Sequence, residues 1–374
     1  MIQYIKNFFV CKNKSGTNRD LGYDFIRFFA MLSVVIYHMI TSLLDLRYHI
    51  ASSLDYIIIH NPLILGYIGV ALFFMLSGAL LINKYVSNFN ILNFYKTRFL
   101  RIEAANIVIS VIVFWILFCY KNNIIFNDFL GLLISFLGLG YGEILWSKLH
   151  INTIWLAGAW FTAVIVVLYL LFPLLRWIFI KHLIIGNIFI PIVFLLNLEF
   201  EILTHYDGWF SITNGIMCFW MGMMFERYKH LFSNKKLIYF IFLLTILYWI
   251  INPQLFGKYK YFSCFVFSCF LFVSLYQIKF SNIFTNFVCK YNYEIYLIHQ
   301  KLFLTALPLL LIRNYTYLQL FLVFSFLLLL VFLFSVCLQN IAKKFITISG
   351  LLKFLVLQFA IIILVQMSVV FNIL

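Results

Sequence analysis

Apolar runs of near-uniform length, separated by short polar or basic stretches, recur along this chain from residue 24 onward. Crossing the ~30 Å hydrocarbon core takes about 20 apolar residues on a helix. Runs at 24–44, 63–83, 102–120, 155–175, 183–198, 210–225, 237–252, 261–278, 294–312, 317–338 and 351–373 approach that length. They predict eleven spanning helices. A further apolar stretch, 128–146, is broken by Gly131, Gly138, Gly140 and Gly142. It reads as re-entrant or interfacial, because irregular backbone is tolerated at membrane depth only where protein or water covers it. The expected fold is all-α, a polytopic membrane helix bundle. No internal repeat or low-complexity tract interrupts the pattern.

Composition sharpens this picture. Of 374 residues, 65% are hydrophobic and 10% are charged, against about 25% charged in a soluble domain. Aromatic residues make up 21% of the chain, too many for a water-soluble core to hide. The net charge of +15 would point to nucleic acid only if it clustered on a soluble face, and it is spread among the loops. With the N-terminus cytoplasmic and 128–146 not crossing, 19 Lys and Arg fall inside and 6 outside, a strong positive-inside bias. A crossing at 128–146 would erase most of it. The expected topology therefore ends with the C-terminus outside. Residues 1–20 are basic and lack an apolar core, so they read as a cytoplasmic tail rather than a signal peptide. The seven cysteines show no metal-ligand or redox spacing, and no metal site or disulfide is expected.

The first helix carries the densest chemistry. Asp24, Arg27 and His38 lie in an otherwise apolar run. Eleven helical steps from Arg27 to His38 amount to about 1100°, so the two share a face roughly 16 Å apart along the axis. Asp24, one turn before Arg27, can pair with it. Ionisable groups in a spanning helix are costly and usually face the bundle interior or a wet cavity. Read alone, Arg27 could snorkel to the headgroups and His38 could be a hydrogen-bonded core residue. Together on one face they favour a functional reading.

The run Tyr23-Asp24-Phe25-Ile26-Arg27-Phe28-Phe29-Ala30, with ten residues between Arg27 and His38, resembles the first helix of the membrane-bound acyltransferase-3 family. Those proteins move acyl groups, usually acetyl, onto sugars of cell-surface polysaccharides. Further motifs follow in order. Phe73-Phe74-Met75-Leu76-Ser77-Gly78 resembles the second-helix motif, although a Ser-Gly pair also serves close helix packing. Tyr95 to Ile102 carries Arg98 and Arg101 one turn apart, similar to the family's Arg-x-x-Arg; the same residues would also serve as positive-inside anchors. Trp160-Phe161, Tyr169 and Pro173 resemble the Trp-rich helix. Many members carry a Glu a few residues after that Trp, whereas Thr162 to Val167 is apolar here except for Thr162. Tyr293 to His299 resembles the late Tyr-x-x-His motif, with Tyr296 and His299 on one face. The resemblance implies a ten-helix domain over about 21–340, leaving 341–374 as a cytoplasmic linker and an additional spanning helix.

It also implies an activity: O-acylation of a hydroxyl of a cell-surface glycan (O-antigen, capsule or exopolysaccharide) or its lipid-linked precursor, at the bacterial plasma membrane. Cytosolic acyl-CoA, acetyl-CoA by default, is the donor substrate, and no permanently bound cofactor is expected. Arg27, Arg98 and Arg101 would hold the phosphates of the donor, since forked guanidinium groups suit phosphate. His38 would be the base and Asp24 would orient Arg27. Ser77, Gly78, Trp160, Tyr296 and His299 would line the substrate path. Direct transfer and an acyl-enzyme both stay open, although Ser33 is a poor angular match to His38. The stretch Glu199 to Gly208 holds Glu199, Glu201, His205 and Asp207 without a basic residue; it reads as a solvated outer loop or as a contact for acceptor hydroxyls. A transporter or flippase using buried Arg and His, or a passive scaffold, are the other readings. The internal repeats and paired broken helices common in transporters do not stand out.

Overall fold

The computed structural model describes residues 20–45, 62–120, 129–139, 149–151, 153–154, 156–204, 211–233, 235–251, 260–310 and 316–370. Among the described residues there are thirteen α-helices and no strand. They are α1 (Leu21–Asp45), α2 (Pro62–Tyr85), α3 (Ile91–Tyr120), α4 (Phe129–Phe136), α5 (Ala159–Lys181) and α6 (Leu183–Thr204). Then come α7 (Ile212–Tyr228), α8 (Lys235–Ile251), α9 (Lys260–Tyr276) and α10 (Ile283–Lys290). The last three are α11 (Asn292–Leu310), α12 (Tyr317–Ala342) and α13 (Ile348–Val370).

Each of the eleven predicted spans appears as a helix. Seven of them, α1, α2, α3, α5, α6, α12 and α13, are long and apolar enough to cross a membrane. The helices α7, α8 and α9 have 17 residues each, the lower end of the roughly 17–25 that span a bilayer. α11 has 19 residues but carries Glu294, His299 and Lys301, which lowers its hydropathy. The fold is an all-α, multi-pass membrane bundle.

Some boundaries differ from expectation. α3 begins at Ile91, ahead of the predicted span, so Arg98 and Arg101 lie one turn apart on a helix, as their spacing suggested. α6 continues to Thr204, which puts Glu199 and Glu201 on a helix end instead of in a loop. Positions 205–208 of that stretch, most of the N-terminal tail, and residues 128 and 140–146 lie outside the described residues. The described part of 128–146 is the eight-residue α4, about 12 Å long and far short of the hydrocarbon core. Its end is a left-handed turn: Gly138 has φ 64°, with Leu139 N–H bonding Ile134 O at 3.0 Å and Gly138 N–H bonding Ser135 O at 3.1 Å. That paired closure satisfies the orphan carbonyls of the last helical turn.

The chain divides into two compact units. The first comprises Met1–Phe89, Leu170–Asn292 and Phe303–Phe324, and the second Asn90–Tyr169, Tyr293–Leu302 and Ser325–Leu374. In the first, α2 is the central helix, packing chiefly against α1 and α7, and 83% of its apolar window is buried. Backbones touch where α2 meets α7: a Cβ on Gly78 would run into the Phe219 carbonyl, and one on Gly222 into the Met75 carbonyl. Small residues permit this approach in membranes. Arg176 caps the end of α2, its guanidinium donating to Tyr85 O at 2.6 Å and Val86 O at 3.0 Å; a cation is favoured at a helix C-terminus.

The start of α1 is tied down by charge. Asp20 accepts from Gly22 N–H at 3.0 Å, from the Tyr276 hydroxyl at 2.6 Å and from Lys279 Nζ at 3.0 Å. Beside it, the Tyr23 hydroxyl donates to Glu226, which also pairs with Lys229 at 2.7 Å. In the second unit, α3 packs against α4 and α13. Phe114 and Phe136 meet edge to face at 5.8 Å, and Trp115 Nε1 donates to Gln358 at 3.0 Å.

Candidate functional site

In the first unit, Asp24, Arg27 and His38 lie on α1. The helix is continuous from Leu21 to Asp45, so Arg27 and His38 keep the common face and the roughly 16 Å axial separation of a regular helix. Asp24 does pair with Arg27, at 2.8 Å between Oδ1 and NH1. The carboxylate side chain is 9% exposed and the guanidinium 24%. Asp24 is fixed from the backbone side too, where its carbonyl accepts from the Cys289 thiol at 3.2 Å. His38 is half-buried, and its ring lies 4.7 Å from that of Tyr37 at 60°. An anchored cation and an imidazole therefore stand on one rigid rod. Ser77 is half-buried on α2, and Gly78 is used up in the contact with Phe219.

The remaining predicted residues belong to the second unit. Arg98 sits over the Tyr169 ring at 5.8 Å, a cation–π contact. Arg101 is exposed. Trp160, half-buried on the first turn of α5, meets Phe161 edge to face at 6.4 Å. Tyr296 is buried, and its hydroxyl donates to Gly158 O at 2.8 Å. Gly158 has φ 67°, which an L side chain rarely adopts, and it directly precedes α5. Tyr296 therefore pins the turn that starts the Trp helix. His299 is 1% exposed, buried among the helices of the second unit. Its Nδ1 lies 3.1 Å from Ile295 O; a carbonyl only accepts, so Nδ1 carries the proton.

Around these lies a polar cluster that the motif reading passed over. Glu103, Asn106 and Ser110 are each at most 1% exposed on α3. Asn106 Nδ2 donates to Phe136 O at 2.9 Å and to Glu103 Oε2 at 3.2 Å. Thr162, the one polar residue in its stretch, is fully buried with its hydroxyl 3.5 Å from that of Tyr293. The signal was present in the sequence: positions 103, 106 and 110 are spaced i, i+3, i+7, one face of a helix. The family-like motif stops at Ile102, and the apolar residues between these three positions mask their common face.

A family model describing an acyltransferase domain, that of the acyltransferase-3 family, matches residues 20–340. The chain belongs to that family. Membership makes it a membrane acyltransferase, in keeping with the multi-pass helical fold. None of the curated proteins and none of the solved structures matches it. No carboxylate lies between Thr162 and Val167, while α3 carries a buried one at Glu103.

Proposed function

We propose that this acyltransferase transfers an acyl group, acetyl by the family's usual practice, from cytosolic acyl-CoA to a hydroxyl of a cell-surface glycan or its lipid-linked precursor. The observation carrying the reading is the α1 arrangement inside a family match that spans most of the chain: Arg27 fixed by Asp24, with His38 on the same face. The axial separation of roughly 16 Å is comparable to the reach of a pantetheine arm. Arg27, Arg98 and Arg101 hold the phosphates of the donor through charge-assisted hydrogen bonds. Their expected place is the cytoplasmic face of a plasma-membrane protein whose N-terminus is inside.

In the reaction, His38 takes the proton of the attacking hydroxyl as its oxygen adds to the thioester carbonyl. The C–S bond breaks, the imidazolium returns the proton to the departing thiolate, and the products are the ester and the free thiol. Imidazole suits the role because its unperturbed pKa of about 6.5 lies near neutral pH. His38→Ala is expected to leave the protein in the membrane and abolish acylation. Mass spectrometry of surface glycans from cells carrying wild type, the variant or neither gives the acyl mass and the modified sugar. Wild-type acylation by His38→Ala removes His38 as the base. A glycan that is the same with and without the wild-type protein rejects the reading as a whole.

A further inference from the structure

We propose that α10 is an interfacial helix that binds anionic lipid: its outward Ile283 and Phe284 side chains lie among the acyl chains, and the Lys290 ammonium lies on a headgroup phosphate. The contact is separate from the donor and acceptor sites of the acyl-transfer reading. At eight residues, about 12 Å, α10 is too short to cross a membrane. It forms because its N-terminus is built. Asn282 Oδ1 accepts from Thr285 N–H at 2.7 Å and Thr285 Oγ1 accepts from Asn282 N–H at 2.8 Å, a capping box. Three contacts set it against the first two turns of α1. Phe280, just before α10, meets Phe25 edge to face at 6.2 Å, and Phe284 meets Phe28 likewise at 5.7 Å. The third is the Cys289 thiol on Asp24 O at 3.2 Å. The apolar span of α1 begins at Leu21, so α10 sits at the edge of the hydrocarbon core, braced on the turn that carries Asp24 and Arg27.

In water a surface helix turns its apolar side inward and its polar side outward. α10 does not: Thr285 is buried with Val288, while Ile283 is 85% exposed and Phe284 45%. Phe287, half-buried, stands about 40° from Ile283 around the axis. Lys290, two turns on from Ile283, returns to within about 20° of it and is exposed. An apolar edge bordered by a lysine suits a helix lying in the membrane interface, where the lysine stem covers apolar depth and the ammonium reaches the phosphates. Residues 278–290 include Lys279 and Lys290 and no Asp or Glu, which favours anionic headgroups. Lys279 is engaged by Asp20 at 3.0 Å, so the lipid contact falls to Lys290. The chain's own residues 1–19 are a poor occupant of this edge, since they carry Lys6, Lys12, Lys14 and Arg19 and no acidic residue. A second copy docking through the same edge would set two Lys290 ammonium groups together, and like charges facing each other are costly.

The test uses the full-length protein in phosphatidylcholine nanodiscs doped with a photoreactive lipid, a diazirine on its acyl chain. The probe carries either a phosphatidylglycerol or a phosphatidylcholine headgroup. After irradiation, trypsin cuts at Lys279 and Lys290 and releases Phe280–Lys290 as one peptide, whose lipid adduct is read by mass spectrometry. Adducts are expected with both probes, about fivefold more with the anionic one, the scale of one lysine at an anionic surface. Lys290→Gln should bring the two probes to parity, on the longer peptide Phe280–Lys301 that it leaves, with the adduct placed by fragment ions. Ile283→Asp should reduce adducts severalfold with both probes and leave the melting temperature in detergent unchanged. No adduct on α10 while α12 is labelled overturns the proposal: the edge then faces water, a second copy or another protein. Equal labelling by the two probes in wild type overturns it too, since the edge is then ordinary lipid-facing surface. An anionic preference that survives Lys290→Gln overturns it by placing the headgroup elsewhere. A lowered melting temperature in Ile283→Asp does so by showing that side chain to be packed against protein.

Discussion

Asp20 shows how a single surface-facing carboxylate can hold the start of α1. Burial pushes its pKa up, but the Tyr276 hydroxyl, the Lys279 ammonium and the Gly22 N–H together hold it below the ordinary carboxylate value. A carboxylate with a depressed folded pKa contributes stability that is complete above its unfolded value, about 3.9. That contribution is lost as pH falls through the lower folded value. Thermal melts of the purified protein should therefore show an acid-side decline that Asp20→Asn flattens. An unchanged acid profile in that variant removes Asp20 from the account. Gly78 offers a prediction of a different kind. Its missing side chain is replaced by the Phe219 carbonyl, and backbone cannot yield as a flexible side chain can. Gly78→Ala should cost about 1–3 kcal/mol or more, read as a lowered melting temperature, while Ser77→Ala shifts it far less. At this scale the sequence was legible where partners are close along the chain. The Asp24–Arg27 pair is three residues apart and could be read from spacing. Tyr296 and Gly158 are 138 residues apart, and no spacing rule predicts such a partner.

At the scale of elements, each hydrophobic run of near-spanning length coincides with a helix among the described residues, and seven of those helices are long and apolar enough to cross, because crossing a bilayer sets a minimum length. Ends were harder to place. α3 starts eleven residues before its predicted span because Tyr95 to Arg101 continues the helix through polar positions, and hydropathy registers a membrane edge rather than a helix edge. α4 carries the most informative boundary. An eight-residue helix closed by Gly138 cannot cross, which is the condition for the expected distribution of charge. Single cysteines placed at Lys84 and Lys148 in a cysteine-free background should label from opposite sides of the membrane, Lys84 from within and Lys148 from outside. Labelling from the same side would mean that α4 and its flanks do cross. Gly158→Val should strain the left-handed turn and crowd Leu297, whose Cδ2 lies 2.8 Å from the added Cβ position. Acylation should fall together with thermal stability, because the start of α5 moves with that turn.

For the whole molecule, the distribution of burial separates roles. α12 and α13 each have 17% of their apolar window buried, against 83% for α2. α13 also lies beyond the stretch matched by the family model. Removing residues 348–374 should consequently leave membrane insertion and glycan acylation in place, with a lower melting temperature from losing the Trp115–Gln358 contact. Loss of acylation in that truncation would assign α13 a part in the reaction. The bundle, its spans and its family could be read from residue pattern and motif order. The Glu103–Asn106 cluster could not, because its meaning depends on α4 and the turn at Gly158 arriving beside it.

The near-complete enclosure of α2 has a consequence for how variation along this chain will be tolerated. A rod wrapped by its neighbours has no lipid to satisfy, so the bilayer exerts no selection on its outer atoms; what counts there is volume. Saturation mutagenesis should reveal two different grammars. On α12, exchanges among Leu, Phe and Val should pass unnoticed and a single charge should be lethal. On α2, the same exchanges should be punished one methyl group at a time.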